Sequence, residues 1–207
     1  MLTSPRSLKM RITILGRGPL AEPLAELAEH AGHTVQRVRE APAPADAVDV
    51  AELVILAGSS TAVRTMLESI APSIPDGVVV VDATIPTLDD RDGGEPEPRR
   101  SGAEWIPVLL PAARIVRAFA SVPADALAKV LNGPTSEQAA RLAVPLAGDD
   151  RDAKAMVGKF MREIGVDPFD LGALGSADVL APGGALWGKA FSQVEMLEAV
   201  GLLSGDG

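Results

Sequence analysis

The chain has no cysteine and no tyrosine, and among its 207 residues there are only four phenylalanines, two tryptophans and two histidines. Without cysteine there is no disulfide, no thiolate nucleophile and no thiolate metal site, and His30 and His33 are too few for an imidazole metal centre. Redox chemistry would therefore need a bound cofactor. The shortage of aromatics leaves no stacking platform for bases. A net charge of −9, from 28 acidic and 19 basic residues, repels a phosphate backbone, so no nucleic-acid partner is expected and any phosphate must be held locally. No run approaches the roughly 18–20 apolar residues that a membrane span needs, and the start, MLTSPRSLKM, lacks the apolar stretch of a signal peptide. These absences predict a soluble, cytoplasmic protein with no membrane contact. There is no Ser-His-Asp set, no HExxH and no convincing pair of carboxylates, so hydrolysis by a built-in nucleophile is not expected.

What the chain does have is a rhythm. Short β-branched runs at 11–15, 33–38, 51–57, 77–83, 113–120, 141–148 and 167–172 alternate with helical patterns near 19–31, 60–71, 102–110, 123–132 and 151–164. A helical tail is expected from about 184. Strands that read almost entirely as Val, Ile and Leu are buried on both faces, and their alternation with helices predicts an α/β fold, a doubly wound and mainly parallel sheet. The expected organisation is a tail over 1–9, a nucleotide-binding domain over 10–172 and a small helical C-terminal extension over 173–207. Three segments break the rhythm, one of them APGGALWG (181–188), a turn entering the last helix. EAPAPADAVD (40–49) stands where a complete nucleotide-binding half would carry a helix and a third strand; it must bridge directly to the next strand or keep a single turn. LDDRDGGEPEPRR (88–100) reads as a polar lid or binding loop.

The first strand runs into ILGRGPLAEP. Gly16 and Gly18 lie between a strand and a helix, the context in which a GxGxxG-like turn lets pyrophosphate approach the backbone, and Ala21 takes the place of the third glycine. Pro19 fits the first helical position but has no N–H to offer, leaving Arg17, Gly18 and Leu20 as donors, with the Arg17 side chain beside them. The second strand ends in QRVRE, where an acidic side chain would hold the ribose of NAD and an arginine the 2′-phosphate of NADP; Arg39 favours NADP, and Glu40 keeps NAD open. Ligands of open parallel sheets lie beyond the carboxyl ends of the strands. That places Gly58, Ser59, Ser60, Asp82, Thr84 and Ala120 near a cleft. Ser59 or Ser60 could equally cap the next helix, and Asp82 and Thr84 could simply satisfy their loop. His33 is read as structural.

The stretches RITILGRGPLAEPLAELAEHAGHTV, AELVILAGSS, GVVVVDATIP, AEWIPVLLPAARIVRAFASVPADAL, PLAGDDRDAKAMVGKFMREIGVDPFDLG and LAPGGALWG, in this order, resemble the NADPH-dependent coenzyme F-420 reductases from about Met10 to Gly188. The resemblance extends to the first domain of the pyrroline-carboxylate reductases. It implies a Rossmann fold with a small C-terminal extension, frequently dimeric, that passes hydride between NADP(H) and a deazaflavin with no acid–base residue. The departures fall on the cofactor side. Pro19 stands for the asparagine of the family's glycine turn, Arg39-Glu40 for its Ser-Arg pair, Ile85 for the asparagine of DATNP, and Ala120 for that of AFN.

Three expectations follow. The first is an NAD(P)H-dependent oxidoreductase in which Gly16, Arg17, Gly18, Pro19, Leu20, Arg39, Gly58, Ser59, Ser60 and Thr84 contact the dinucleotide and Ser59, Thr84 and Ala120 line the hydride-transfer cleft. Coenzyme F-420 or another small molecule would be its co-substrate. The second is a Rossmann-like protein that has lost dinucleotide catalysis and binds a different small molecule or a partner protein. In the third, Ile85 and Ala120 make room for a bulky apolar substrate. An apolar tail around Val194 to Leu203 is compatible with a homodimer contact or with an ordinary core helix.

Overall fold

The computed structural model describes residues 9–85, 105–133 and 140–204; the loop over 88–100 lies outside the described residues. Seven strands, β1 (Arg11–Leu15), β2 (Thr34–Val38), β3 (Leu53–Leu56), β4 (Val79–Asp82), β5 (Arg114–Ala118), β6 (Ala143–Gly148) and β7 (Asp167–Asp170), form one sheet in the order β2-β1-β3-β4-β5-β6-β7. Every pairing is parallel except β5 with β6. The order reverses direction at β1, whose neighbours are β2 and β3. This is a doubly wound sheet with its third strand missing: residues 40–52 cross from β2 to β3 with one 3-10 turn, Ala45–Ala47.

Alternation along the strands divides the core. Ile12, Ile14, Leu53, Ile55, Val79 and Val81 face α1 (Ala21–His30), α4 (Ala124–Val130) and α5 (Arg151–Glu163). Leu15, Val54, Leu56, Val78 and Val80 face the short crossover, α2 (Ser60–Ile70) and the four-residue α3 (Ile106–Leu109). Each fully buried aliphatic side chain contributes about 1.5–3 kcal/mol, so β3 and β4, buried at every position, anchor the sheet. The crossover substitutes for the missing helix by packing Ala43, Ala47 and Val48 onto this second face, and Thr13 donates its hydroxyl to Ala47 O at 2.5 Å.

The last helix departs from expectation. It begins at Gln193 rather than near 184, and Leu174–Leu180 is a 3-10 segment. Gly183 and Gly188 hold positive φ, and a Cβ on Gly184 would meet Val179 O at 2.5 Å, so the chain turns here instead of coiling. The start of α6 (Gln193–Ser204) is fixed by a reciprocal cap: Ser192 donates its N–H to Glu195 Oε2 at 2.7 Å, and Glu195 N–H faces Ser192 Oγ at 3.4 Å. The start of the helix meets the outer edge of the sheet at one point. Asp167 and Leu171 send their N–H groups toward β6, so Pro168 lies where an N–H would point outward, and its carbonyl accepts from Gln193 Nε2 at 3.1 Å.

His33 is structural, as the sequence suggests. Its side chain is 1% exposed, Nδ1 accepts the Met10 N–H, Nε2 lies 3.3 Å from Glu163 Oε2, and the ring packs against Phe160. Burial pushes its pKa below the ordinary 6.5; the Glu163 carboxylate opposes that shift and Lys159 adds to it. The unfolded chain therefore takes up the proton first, so the contribution of His33 is complete above about pH 6.5 and is lost as pH falls toward the lower folded value. Urea unfolding between pH 7.5 and 5.5 should show a loss of stability that is smaller in His33→Phe; equal slopes in the two proteins would refute this.

Candidate functional site

Because β1, β3, β4 and β5 are parallel, their carboxyl ends share one edge of the sheet, and the loops Gly16–Leu20, Ala57–Ser60, Ala83–Ile85 and Phe119–Ser121 all lie there. The crevice at which strand order reverses lies between the first two.

Gly16 ends β1 with φ +120, and its N–H goes to Val38 O. A Cβ there would lie 2.3 Å from Ala57 O, and one on Gly18 would lie 2.8 Å from Gly58 Cα. Both glycines are thus demanded by the approach of the chain's own backbone, whatever ligand lies above. Gly18 N–H is bonded to Ala57 O at 3.0 Å, which corrects its expected place among the phosphate donors. Among the described residues, the N–H groups of Arg17 and Leu20 take no acceptor. Pro19 is exposed, and α1 starts behind it at an N-cap, Leu20, with no side-chain bond. The positive end of that helix therefore faces the turn with free donors.

The arginines are not free. Arg39 Nη2 donates to Glu22 Oε2 at 2.8 Å, and Arg37 is held by both oxygens of Glu29, at 2.5 and 2.9 Å, with its Nε 3.4 Å from Glu22. Arg37 holds the Glu29 carboxyl below its ordinary range, the direct hydrogen bond being the main cause. Arg17 lies 3.9 Å from Glu40. All of these side chains except Arg37 are roughly half exposed or more.

Of the cleft candidates, Ser59 is the N-cap of α2, its Oγ accepting from Ala62 N–H at 3.4 Å, and it remains partly open. Ser60 is buried and donates to Ile85 O, so its hydroxyl is committed to structure. Ile85 N–H in turn bonds Gly58 O, lacing the loop after β4 to the turn after β3. Thr84 is buried, and its N–H and hydroxyl both go to Asp82 Oδ1, at 3.0 and 2.6 Å. Ala120 is 3% exposed at the end of β5.

Sequence reasoning missed what lies beneath this loop. Arg117 is fully buried on β5, opposite Asp82 in register, and its guanidinium pairs with the Asp82 carboxylate and reaches Thr84 O at 3.4 Å. The sequence does hold a signal: an arginine at an inward position of an apolar strand needs a partner, and VVVVD supplies one. Phe119 follows two residues on. It is buried at φ +66, a conformation uncommon outside glycine, and its ring meets Phe160 edge-on. Just beyond it, Ser121 O accepts Gly188 N–H at 2.8 Å, so the turn 181–188 closes onto the same edge.

No family model matches the chain. The rat metalloreductase STEAP3 is 35% identical over 101 residues, which is 49% of this chain; the chain spans 19% of that protein. Among solved structures, protein SMa0349 of Sinorhizobium meliloti superposes with a TM-score of 0.68 at 22% identity, covering 89% of this chain and 96% of that one. A provisionally named F420-dependent NADP reductase from Arthrobacter sp. FB24 gives 0.66 at 22% identity, covering 93% and 95%. The chain thus has a Rossmann-like α/β fold, the one it shares with that reductase over nearly its whole length.

Proposed function

We propose that the protein is an NAD(P)H-dependent oxidoreductase, with NADP as its dinucleotide and a deazaflavin or another small acceptor as its co-substrate. The observation that carries this reading is the turn at the reversal point of the sheet. There two unpaired N–H groups, from Arg17 and Leu20, and two guanidinium groups, from Arg17 and Arg39, flank the start of α1. This donor set fits a dinucleotide even without an N–H at Pro19. The reductase that shares the fold, and the metalloreductase that shares part of the sequence, point to the same chemistry.

In this reading Arg17 and Leu20 would hold the pyrophosphate, Arg39 the 2′-phosphate, and Gly58 and Ser59 the nicotinamide half. The dinucleotide supplies the hydride. Ile85, partly exposed, would give the mouth of the cleft an apolar side chain, and the loop carrying Thr84 is kept in place by Asp82 and Arg117. Hydride transfer between two stacked rings requires positioning more than acid–base chemistry, and the site offers no free acid or base among Ser60, Thr84 and Asp82. No described helix is long and apolar enough to cross a membrane. Titration with NADPH and NADH, followed calorimetrically, is expected to show saturable NADPH binding below millimolar concentration. Absence of binding of either at millimolar concentration would overturn the proposal in favour of a Rossmann-like protein that binds something else.

A further inference from the structure

We propose that Glu22 sets the dinucleotide preference of this site by occupying Arg39. This inference rests on the reading of the turn as a dinucleotide site. Glu22 lies in the first turn of α1, directly after the glycine turn, and its carboxylate holds Arg39 at 2.8 Å while also lying 3.4 Å from Arg37 Nε. Arg39 stands just past β2, where a 2′-phosphate would be recognised. The carboxylate is therefore an internal anion in the place of the ligand's own. A 2′-phosphate has to displace it, and then to remain beside its negative charge. NADH has no 2′-phosphate and leaves the pair undisturbed, so Glu22 penalises one dinucleotide and not the other.

The neighbouring pair is different in kind. Arg17 and Glu40, 3.9 Å apart, lie by the turn that would hold the pyrophosphate, a group common to both dinucleotides. With two arginines and two glutamates, the rim is electrically neutral before any ligand arrives, inside a chain of net charge −9. Removing Glu22 does not free Arg37, which keeps both oxygens of Glu29. It leaves Arg39 as the one released cation of this group.

The test is calorimetric titration of NADPH and NADH into the wild type, Glu22→Gln, Glu40→Gln, Arg39→Ala and the Glu22→Gln/Arg39→Ala double variant. An exposed ion pair of this kind is worth up to about a fivefold change in an equilibrium, and the removed charge adds to it. Glu22→Gln should thus tighten NADPH by about three- to tenfold and change NADH by less than about twofold. The gain should vanish in the double variant, and Glu40→Gln, which leaves the Glu22–Arg39 pair in place, should not reproduce the tightening of NADPH. Equal tightening of both by Glu22→Gln, or a gain that survives Arg39→Ala, would overturn the inference, because Glu22 would then act as a general charge. No gain, in a protein whose NADPH binding Arg39→Ala still weakens, overturns it while leaving the oxidoreductase reading intact. Failure of every variant to bind either dinucleotide overturns both.

Discussion

Gly16→Ala is expected to cost about 4 kcal/mol, from one strained backbone conformation of roughly 1–3 kcal/mol and one overpacked contact of roughly 1–3 kcal/mol. The new Cβ would stand 2.3 Å from Ala57 O and 2.8 Å from Ala57 C, both backbone atoms that cannot swing aside as a side chain can. To make room, the ends of β1 and β3 would have to part and release the bond from Gly18 N–H to Ala57 O. Domains of this size have total stabilities of about 5–15 kcal/mol, and the midpoint of thermal unfolding should drop by about 10 °C. Two other glycines separate the causes. Gly133 has φ +70 with nothing within 4 Å of a Cβ, so Gly133→Ala bears only the backbone term; Gly18→Ala, with no positive φ, bears only the contact. If Gly16→Ala melts no lower than Gly133→Ala, the close approach is not what the glycine serves.

The second large effect concerns Arg117 and Asp82. Arg117→Met leaves a carboxylate buried without its cation, and such a change costs about 3–5 kcal/mol. Asp82→Asn removes the opposite charge and should cost a similar amount, although an amide oxygen can still accept from Thr84. With both charges gone, the double variant should be destabilised by much less than the sum of the two single changes. Urea unfolding followed by tryptophan fluorescence measures all three. Additive losses would mean that the two side chains are not coupled, contrary to their shared burial and paired register.

The framework was legible because β3 and β4 are buried on both faces, and Val, Ile and Leu runs between helical patterns have few other ways to fold. The short crossover was legible as well, since the fourteen residues between β2 and β3 leave no room for both a full helix and a further strand. Other features depend on relations that no local pattern expresses. Arg117 meets Asp82 across 35 residues through the register of β5 on β4, and Arg39 meets Glu22 around the turn between α1 and β2. The glycine turn is instructive in another way. Gly16 and Gly18 satisfy a demand from Ala57 and Gly58, so the same two letters would be needed with or without a phosphate above them. Only the unpaired N–H groups of Arg17 and Leu20 speak to a ligand. The start of α6 could have been read, since Ser192 and Glu195 carry a capping signature, but the apolar content of 184–192 obscured it.

The closed position at Pro168 on β7 has a consequence for how this molecule behaves in a crowd. An open sheet invites strangers to add strands, and the outermost strand is where polymerisation begins. At Pro168 this edge has no donor to offer, and its acceptor is already taken by Gln193, so an incoming chain finds no partner at that position. Gln193, at the start of α6, thereby closes this one position of the edge to a further strand.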